Sequence, residues 1–324
     1  MPSLDRTGLW NKIKEKYQEI DEFKSLMALL AIFLMAISFA PHFFTGYNLG
    51  MLSGQMAVVA TAAVGEAVVI MMGSIDLSVG STIGLGNMIT ATALSQYYFS
   101  PEMAIFAAVI VGGLIGFLNG ILVTKGKMPS FVATLATLTG VRGVAYIYSQ
   151  GINIPIYNND FLALGDLMLG IPKIFWIFLA LLILSTLIFK FTRFGLYIHA
   201  IGGNETAARN LGIDVGGVKN LSFTFAGMFA GLAGAMMSVR LGAGYPHSGL
   251  GYELDVIAAV VVGGISLVGG SGSLIGGLIG ATVMASILNL MVLMGIGAFI
   301  QYVARGLVLV VAALAMRGKI AFAR

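Results

Sequence analysis

Runs of about 20 apolar residues, parted by short polar stretches, follow one another along almost the whole chain. A helix needs about that length to cross the hydrocarbon core of a bilayer. The runs at 26–44, 50–72, 80–98, 103–123, 129–149, 174–191, 218–239, 253–269, 274–294 and 298–316 predict ten spans. From Val256 to Ala304 no charge interrupts the sequence, so Gly263–Gly264, Gly269–Gly270 and Gly295–Gly297 are the expected breaks there. Ahead of the first run, Trp10, Ile13, Tyr17 and Ile20 recur at helical spacing, with Lys12, Lys14 and Lys16 mainly off that stripe. This predicts an amphipathic helix lying on the membrane surface rather than a cleavable leader. The expected organisation is an amphipathic cytoplasmic segment at 1–25, a transmembrane domain at 26–316 and a short basic tail at 317–324. The fold class is an all-α polytopic membrane protein.

Composition agrees: of 324 residues, 58% are hydrophobic and only 10% charged. Soluble domains carry about 25% charge. The net charge of +4 comes from basic residues in short loops, which is a topology signal and not a nucleic-acid patch. With the N-terminus inside, fourteen Lys and Arg fall on the cytoplasmic side: Arg6, Lys12, Lys14, Lys16, Lys24, Lys125, Lys127, Lys190, Arg193, Arg209, Lys219, Arg317, Lys319 and Arg324. Lys173 and Arg240 fall outside, and Arg142 and Arg305 within spans. An even number of spans with both termini in the cytoplasm follows. Gly112, Gly116 and Gly120 form a ladder, and Gly227–Gly231 and Gly276–Gly280 repeat its spacing, as helix-packing surfaces require. GSIDLSVG at 73–80 and GGISLVGG at 263–270 form a faint internal match at an offset of 190.

Catalytic signatures are absent. The chain has no cysteine, and His42, His199 and His247 stand far apart, so no metal site is expected. No GxxxxGK[ST] occurs, so ATP hydrolysis through a P-loop is excluded for this chain. GSGSLIGG at 270–277 lacks the third glycine of a dinucleotide fingerprint and follows no predicted strand. Ionisable groups in spans mark function by default. Here they are Glu66, Asp76, Arg142, Glu253, Asp255 and Arg305, with Asn87, Asn119, Asn289 and Gln301 as polar companions. Each is a translocation-pathway candidate. Each also has a structural reading: Asp76 can cap the helix that begins near Ser78, Glu253 and Asp255 can cap theirs, and Arg142 and Arg305 need a partner such as Glu66, Asp255 or a carbonyl.

One polar stretch, HAIGGNETAARNLGIDVGGVK at 199–219, reads as a short soluble helix between spans. Asn204 is a good N-cap, Glu205 suits the positive helix end, and Gly212 is placed to end the helix. Ala207, Ala208 and Leu211 are expected to share a small apolar face, suited to a groove on another protein. AIGGNETAARNLGID, with GSIDLSVGS at 73–81 and GYELDVIAAVVVGGISLVGGSGSLIGGLIGA at 251–281, resembles the permeases of ribose-type ABC sugar importers across about residues 48–316.

That resemblance implies a bacterial inner-membrane permease subunit that moves a small neutral solute, most readily a monosaccharide. It makes Gly203, Asn204, Glu205, Ala207, Ala208, Leu211 and Gly212 a coupling helix for a separate ATPase, which binds ATP and Mg; this chain itself binds no cofactor. Implied partners are a second permease copy or homologue, the ATPase, and an extracytoplasmic solute-binding protein that meets the loops at 150–173 and 240–252. Tyr245, Pro246 and His247 are the docking candidates there. Glu66 departs from the resemblance, standing where an uncharged residue is expected. Two rivals stay open: a branched-chain amino-acid permease, in which Glu66 and Arg142 hold the zwitterion, and a stand-alone secondary transporter or channel.

Overall fold

The computed structural model describes residues 25–320, so the amphipathic segment and the last four residues of the basic tail lie outside the described residues. The chain is built of helices joined by short connections. They are α1 (Ser25–Phe39), α2 (Gly46–Met71), α3 (Val79–Ser95), α4 (Pro101–Thr124) and α5 (Ser130–Ser149), then the single turn α6 (Asn159–Leu162) and α7 (Lys173–Phe191). They continue as α8 (Arg193–Gly203), α9 (Glu205–Asn210), α10 (Val215–Leu241), α11 (Tyr252–Val262), α12 (Leu274–Leu293) and α13 (Ala298–Ile320). Two small antiparallel pairs sit on connections. β1 (Ile154–Pro155) pairs with β4 (Ala243–Gly244), and β2 (Leu167–Met168) with β3 (Ile171–Pro172).

Helix starts follow local chemistry. The side chains of Thr45, Ser100, Asn158, Asn204, Asp214 and Ser273 each accept a hydrogen bond from the backbone N–H three residues on. Among the described residues, six helices are long and apolar enough to cross a membrane: α2, α4, α5, α7, α10 and α12. The other four predicted runs take different forms. The runs at 26–44 and 80–98 shorten to α1 and α3, the latter of 17 residues, and the run at 298–316 lies within α13.

The run at 253–269 is corrected outright. Its helix, α11, has 11 residues, about 16 Å at 1.5 Å per residue, and 263–273 is unwound. The cause is the glycines named above: Gly264, Gly269 and Gly270 have φ of +90°, +93° and +79°, and only glycine enters that region freely. Residues 243–251, read as an outside loop, pack along α3 as the short strand β4 and a run of turns that leads into this short helix.

The core lies around α2 and α10. α2 is buried on nearly every side from Leu52 to Met71, which is why it is apolar all round rather than striped. Small residues make the α10 contacts. A Cβ on Gly120 would stand 2.7 Å from the Asn220 backbone, and Gly112, Gly116, Gly227 and Gly231 are closed off in the same way by backbone of the facing helix. α4, α5 and α7 carry apolar outward faces, such as Phe106, Leu114, Phe131, Val144, Ile183 and Leu187. Such faces suit lipid or a second chain. A smaller cluster joins α1 to α12 through Ile32, Phe43, Leu52 and Leu290.

Candidate functional site

After Met71 the chain leaves the helix at Gly73 (φ +75°) and bends until α3 begins. This bend is clear of regular structure, and its buried N–H groups need partners. Ile75 N donates to Ser130 Oγ (3.2 Å), Leu77 N to Thr134 Oγ1 (3.1 Å), and Asp76 N to Glu66 Oε1 (3.0 Å). Asp76 Oδ1 accepts from Ser78 N (2.8 Å) and Ser78 Oγ (2.6 Å). Asn119 Nδ2 reaches both Asp76 oxygens at 3.4 Å and Ser78 Oγ at 2.9 Å. Asp76 therefore closes a turn onto its own backbone. Ser78, Ser130 and Thr134 were not singled out in the sequence. The available signal was two hydroxyls four residues apart directly after Pro129.

A second polar group lines residues 243–251. Asn87 uses its whole amide: Nδ2 donates to Ser238 Oγ (2.8 Å) and the Ala243 carbonyl (3.1 Å), while Oδ1 accepts from Tyr245 N and Ser248 Oγ (both 2.8 Å). The Arg142 guanidinium donates to the carbonyls of Ser248 (2.6 Å) and Pro246 (3.3 Å). Gly80 and Gly84 of α3 admit this layer: a Cβ on Gly84 would come within 2.7 Å of that guanidinium, and one on Gly80 within 2.6 Å of the Gly249 carbonyl and against the Glu253 carboxylate. Tyr146 and His247 meet through Oη and Nδ1 at 2.8 Å. His247 is exposed, Tyr245 half-buried and Pro246 buried, so Pro246 is corrected as an exposed docking residue. Tyr245 and His247 line a hollow of about 380 Å³.

The remaining candidates hold helices together. Arg305 Nε lies 3.3 Å from Asp255 Oδ1, joining α13 to α11, and its guanidinium stacks 5.2 Å from the Tyr302 ring. Asn289 and Asn48 exchange amide hydrogen bonds of 2.9 Å in both directions, and Gln301 donates to the Ile296 carbonyl. Glu66 is not a partner of Arg142. Its carboxylate faces Asp76 N, whereas Arg142 stands eight residues along α5 from Thr134, about 12 Å.

α9 is capped at both ends. Asn204 Oδ1 accepts from Ala207 N (2.9 Å). At the other end Gly212 (φ +83°) donates to the Arg209 carbonyl (3.0 Å) and Ile213 N to the Ala208 carbonyl (3.2 Å), the paired bonds of a Schellman ending. Glu205 accepts from Lys219 Nζ (2.6 Å) and Arg209 (3.0 Å). The hydrogen bond from Lys219, ahead of the charges of Lys219 and Arg209, holds its carboxyl below the usual range. Ala207 and Leu211 are exposed, Leu211 by 81%, but Ala208 is buried at 2%. The expected three-residue face is thereby corrected to two, because Ala208 packs into the chain's own core.

Behind α9, the end of α8 fits tightly against both unwound bends. A Cβ on Gly202 would stand against Met71 O and Gly270 N, and one on Gly269 2.7 Å from Gly73 N. Gly270 N donates to the Met71 carbonyl at 2.8 Å. A cleft of about 790 Å³, lined in part by Ser74, Ser130, Glu205, Arg209, Asp214 and Lys219, separates α9 from the 72–78 bend. The 73–80 and 263–270 stretches thus meet in space. They are not equivalent position by position: Gly73 is left-handed and Gly263 is not, while Gly270 is left-handed and Gly80 lies in α3.

Residues 48–316 match the family described as branched-chain amino acid transport system / permease component. The chain is 37% identical over 301 residues to the ribose import permease protein RbsC of Escherichia coli (strain K12), covering 90% of this chain and 92% of that one. It is 40% identical over 303 residues to the protein of the same name from Bacillus subtilis (strain 168), covering 91% and 94%. It is 35% identical over 300 residues to the L-arabinose transport system permease protein AraH of Escherichia coli (strain K12), covering 92% and 91%. With most of its length matched by that family and three such relatives aligned nearly end to end, the chain belongs to the branched-chain amino acid transport system / permease component family.

Proposed function

We propose that this chain is the membrane-spanning subunit of an ATP-driven importer for a monosaccharide of the ribose type, working in the bacterial inner membrane. The observation that carries the reading is α9, a short helix capped at both ends, which presents Ala207 and Leu211 outward and follows directly on α8, whose end is packed against the two unwound bends. A partner that pressed on it would move Gly202 and with it the Met71–Gly270 contact. The relatives named for ribose and arabinose import support the substrate class. Few charges stand free in the helical bundle, as suits a solute recognised through hydroxyls.

The sequence has no P-loop, so ATP and Mg belong to a separate ATPase subunit, and this chain holds no cofactor of its own. A second copy or homologue completes the pathway across the outward apolar faces. A solute-binding protein docks where Tyr245 and His247 line the hollow beside the turns that precede α11. The chain crosses ten times with both termini in the cytoplasm, α11 and the stretch before it making one crossing. The amino-acid reading is the weaker one, because Glu66 and Arg142 do not face a common site.

The test is a pair of variants, Ala207→Arg and Leu211→Arg, each on the exposed face of α9. Both are expected at wild-type level in membranes, with less ATPase copurified and at least a tenfold loss of binding-protein-dependent uptake, about 1.4 kcal/mol of lost coupling. Full uptake by both variants sinks the coupling assignment and returns the stand-alone transporter to first place.

A further inference from the structure

The bend between α2 and α3 holds two carboxyl groups with no base. Glu66 is 1% exposed and Asp76 3%. Neither forms an ion pair with any Lys, Arg or His among the described residues. Of the charged groups on neighbouring elements, Lys219 of α10 and Arg209 of α9 pair with Glu205, His199 of α8 meets the Gly270 carbonyl, Asp255 of α11 pairs with Arg305, Arg142 of α5 bonds two carbonyls, and Lys127 lines the cleft beside Ser74 and Ser130 without an ion pair to either carboxylate. Asp76 accepts from Ser78 and Asn119 and can carry its charge there. Glu66 has only Asp76 N on Oε1, and its Oε2 has no partner.

A second observation points the same way. Asn119, fully buried, turns its amide into this cluster through Nδ2, yet its Oδ1 also lacks a partner. Two orphaned oxygens beside a second carboxylate, all buried, call for a positive charge. The carbonyl end of α2 adds to that demand. Unwound helix ends that gather carbonyl and carboxylate oxygens are the usual setting for a small cation inside a bundle.

We propose that Glu66, with Asp76 and Asn119 beside it, binds one monovalent cation, a proton or a sodium ion, in the bend between α2 and α3. Occupancy offsets the Glu66 charge, leaving that of Asp76 to Ser78 and Asn119, and holds 72–78 against Ser130 and Thr134. Because Met71 and Gly73 touch Gly270 and Gly269, and these touch Gly202, the bound cation also steadies the seat of α8 and α9. This goes beyond the import reading, and its test does not depend on transport.

The purified chain in detergent is melted in sodium chloride and in choline chloride of equal ionic strength, each at pH 8 and at pH 5.5. Glu66→Gln, which keeps an acceptor for Asp76 N without the charge, is treated identically. The wild type is expected to melt at least about 3 °C higher when the site is filled. A sodium response at pH 8 that weakens at pH 5.5 identifies the metal ion. A response to pH without one to sodium identifies the proton. Glu66→Gln should lose whichever response the wild type shows. If that variant cannot be purified, Asp76→Asn is read by the same criterion. A wild type that melts alike in all conditions overturns the proposal, and so does a variant that keeps the full response.

Discussion

Arg305 and Asp255 show what a single ionisable pair does in this bundle. Asp255 is 2% exposed, and Arg305 is its one ion-pair partner among the described residues. Truncating Arg305 to Ala leaves a buried carboxylate uncompensated, at about 3–5 kcal/mol. The expected result is a lower level in membranes and a lower melting temperature in detergent. Arg305→Gln combined with Asp255→Asn should recover much of both, since no charge is then stranded. Normal abundance of Arg305→Ala with only uptake lost would instead make Arg305 a pathway group. Arg142 differs because its partners are neutral carbonyls at 2.6 and 3.3 Å. Arg142→Lys cannot span both in the same fork, so it should behave nearer to Ala than to wild type.

At the scale of elements, the α4–α10 crossing depends on hydrogen in place of side chains. A Cβ on Gly227 would stand 2.9 Å from Gly116 N and closer still to the Gly112 carbonyl, and both obstacles are backbone. Gly227→Val should therefore force the helices apart, costing at least about 1–3 kcal/mol, seen as reduced membrane abundance on immunoblots. Gly46→Ala, with nothing within 4 Å, is the matched control and should match wild type.

α9 separates two effects that its sequence merges. Ala208→Arg buries a charge in the permease core and should lower abundance, whereas Ala207→Arg should not. The Glu205 clamp sets a pH window as well. A depressed carboxyl contributes stability above its ordinary range and loses it as pH falls through the lowered value. Hydrogen exchange across 204–212, corrected for intrinsic rates, should thus be unchanged between pH 8 and pH 6 and rise in Glu205→Gln.

For the whole molecule, the two ends carry different chemistry. Lys127, Arg209 and Lys219 line the cleft beside α9, whereas the far end presents Tyr245 and His247 on the turns before α11. Because the chain has no cysteine, single cysteines at Thr206 and His247, both exposed, test the proposed orientation without background. An impermeant maleimide added to intact cells should label position 247 and leave position 206 unmodified until the membrane is opened. Labelling of 206 from outside would invert the topology and remove α9 from any cytoplasmic ATPase.

What the sequence by itself determined is whatever is local or additive. Apolar content located the membrane-length runs, since hydropathy sums along a chain. Asn204 and Gly212 delimited α9, because capping involves residues within one turn, and the glycine pairs at 263–264 and 269–270 marked the unwound stretch. Tertiary structure decided everything that depends on a neighbour. Glycine-rich sequence reads the same in a helix or in a run of turns, so only the fit of 243–251 onto Gly80 and Gly84 shows how the chain enters α11. Helical spacing put Ala207, Ala208 and Leu211 on one face, but the core behind α9 takes Ala208 and leaves the other two outside. Likewise a list of buried charges carried no pairing. Arg305 with Asp255, fifty residues apart, Arg142 with two carbonyls more than a hundred residues away, and Glu66 with no base at all are outcomes of helix packing, where short-range rules have no reach.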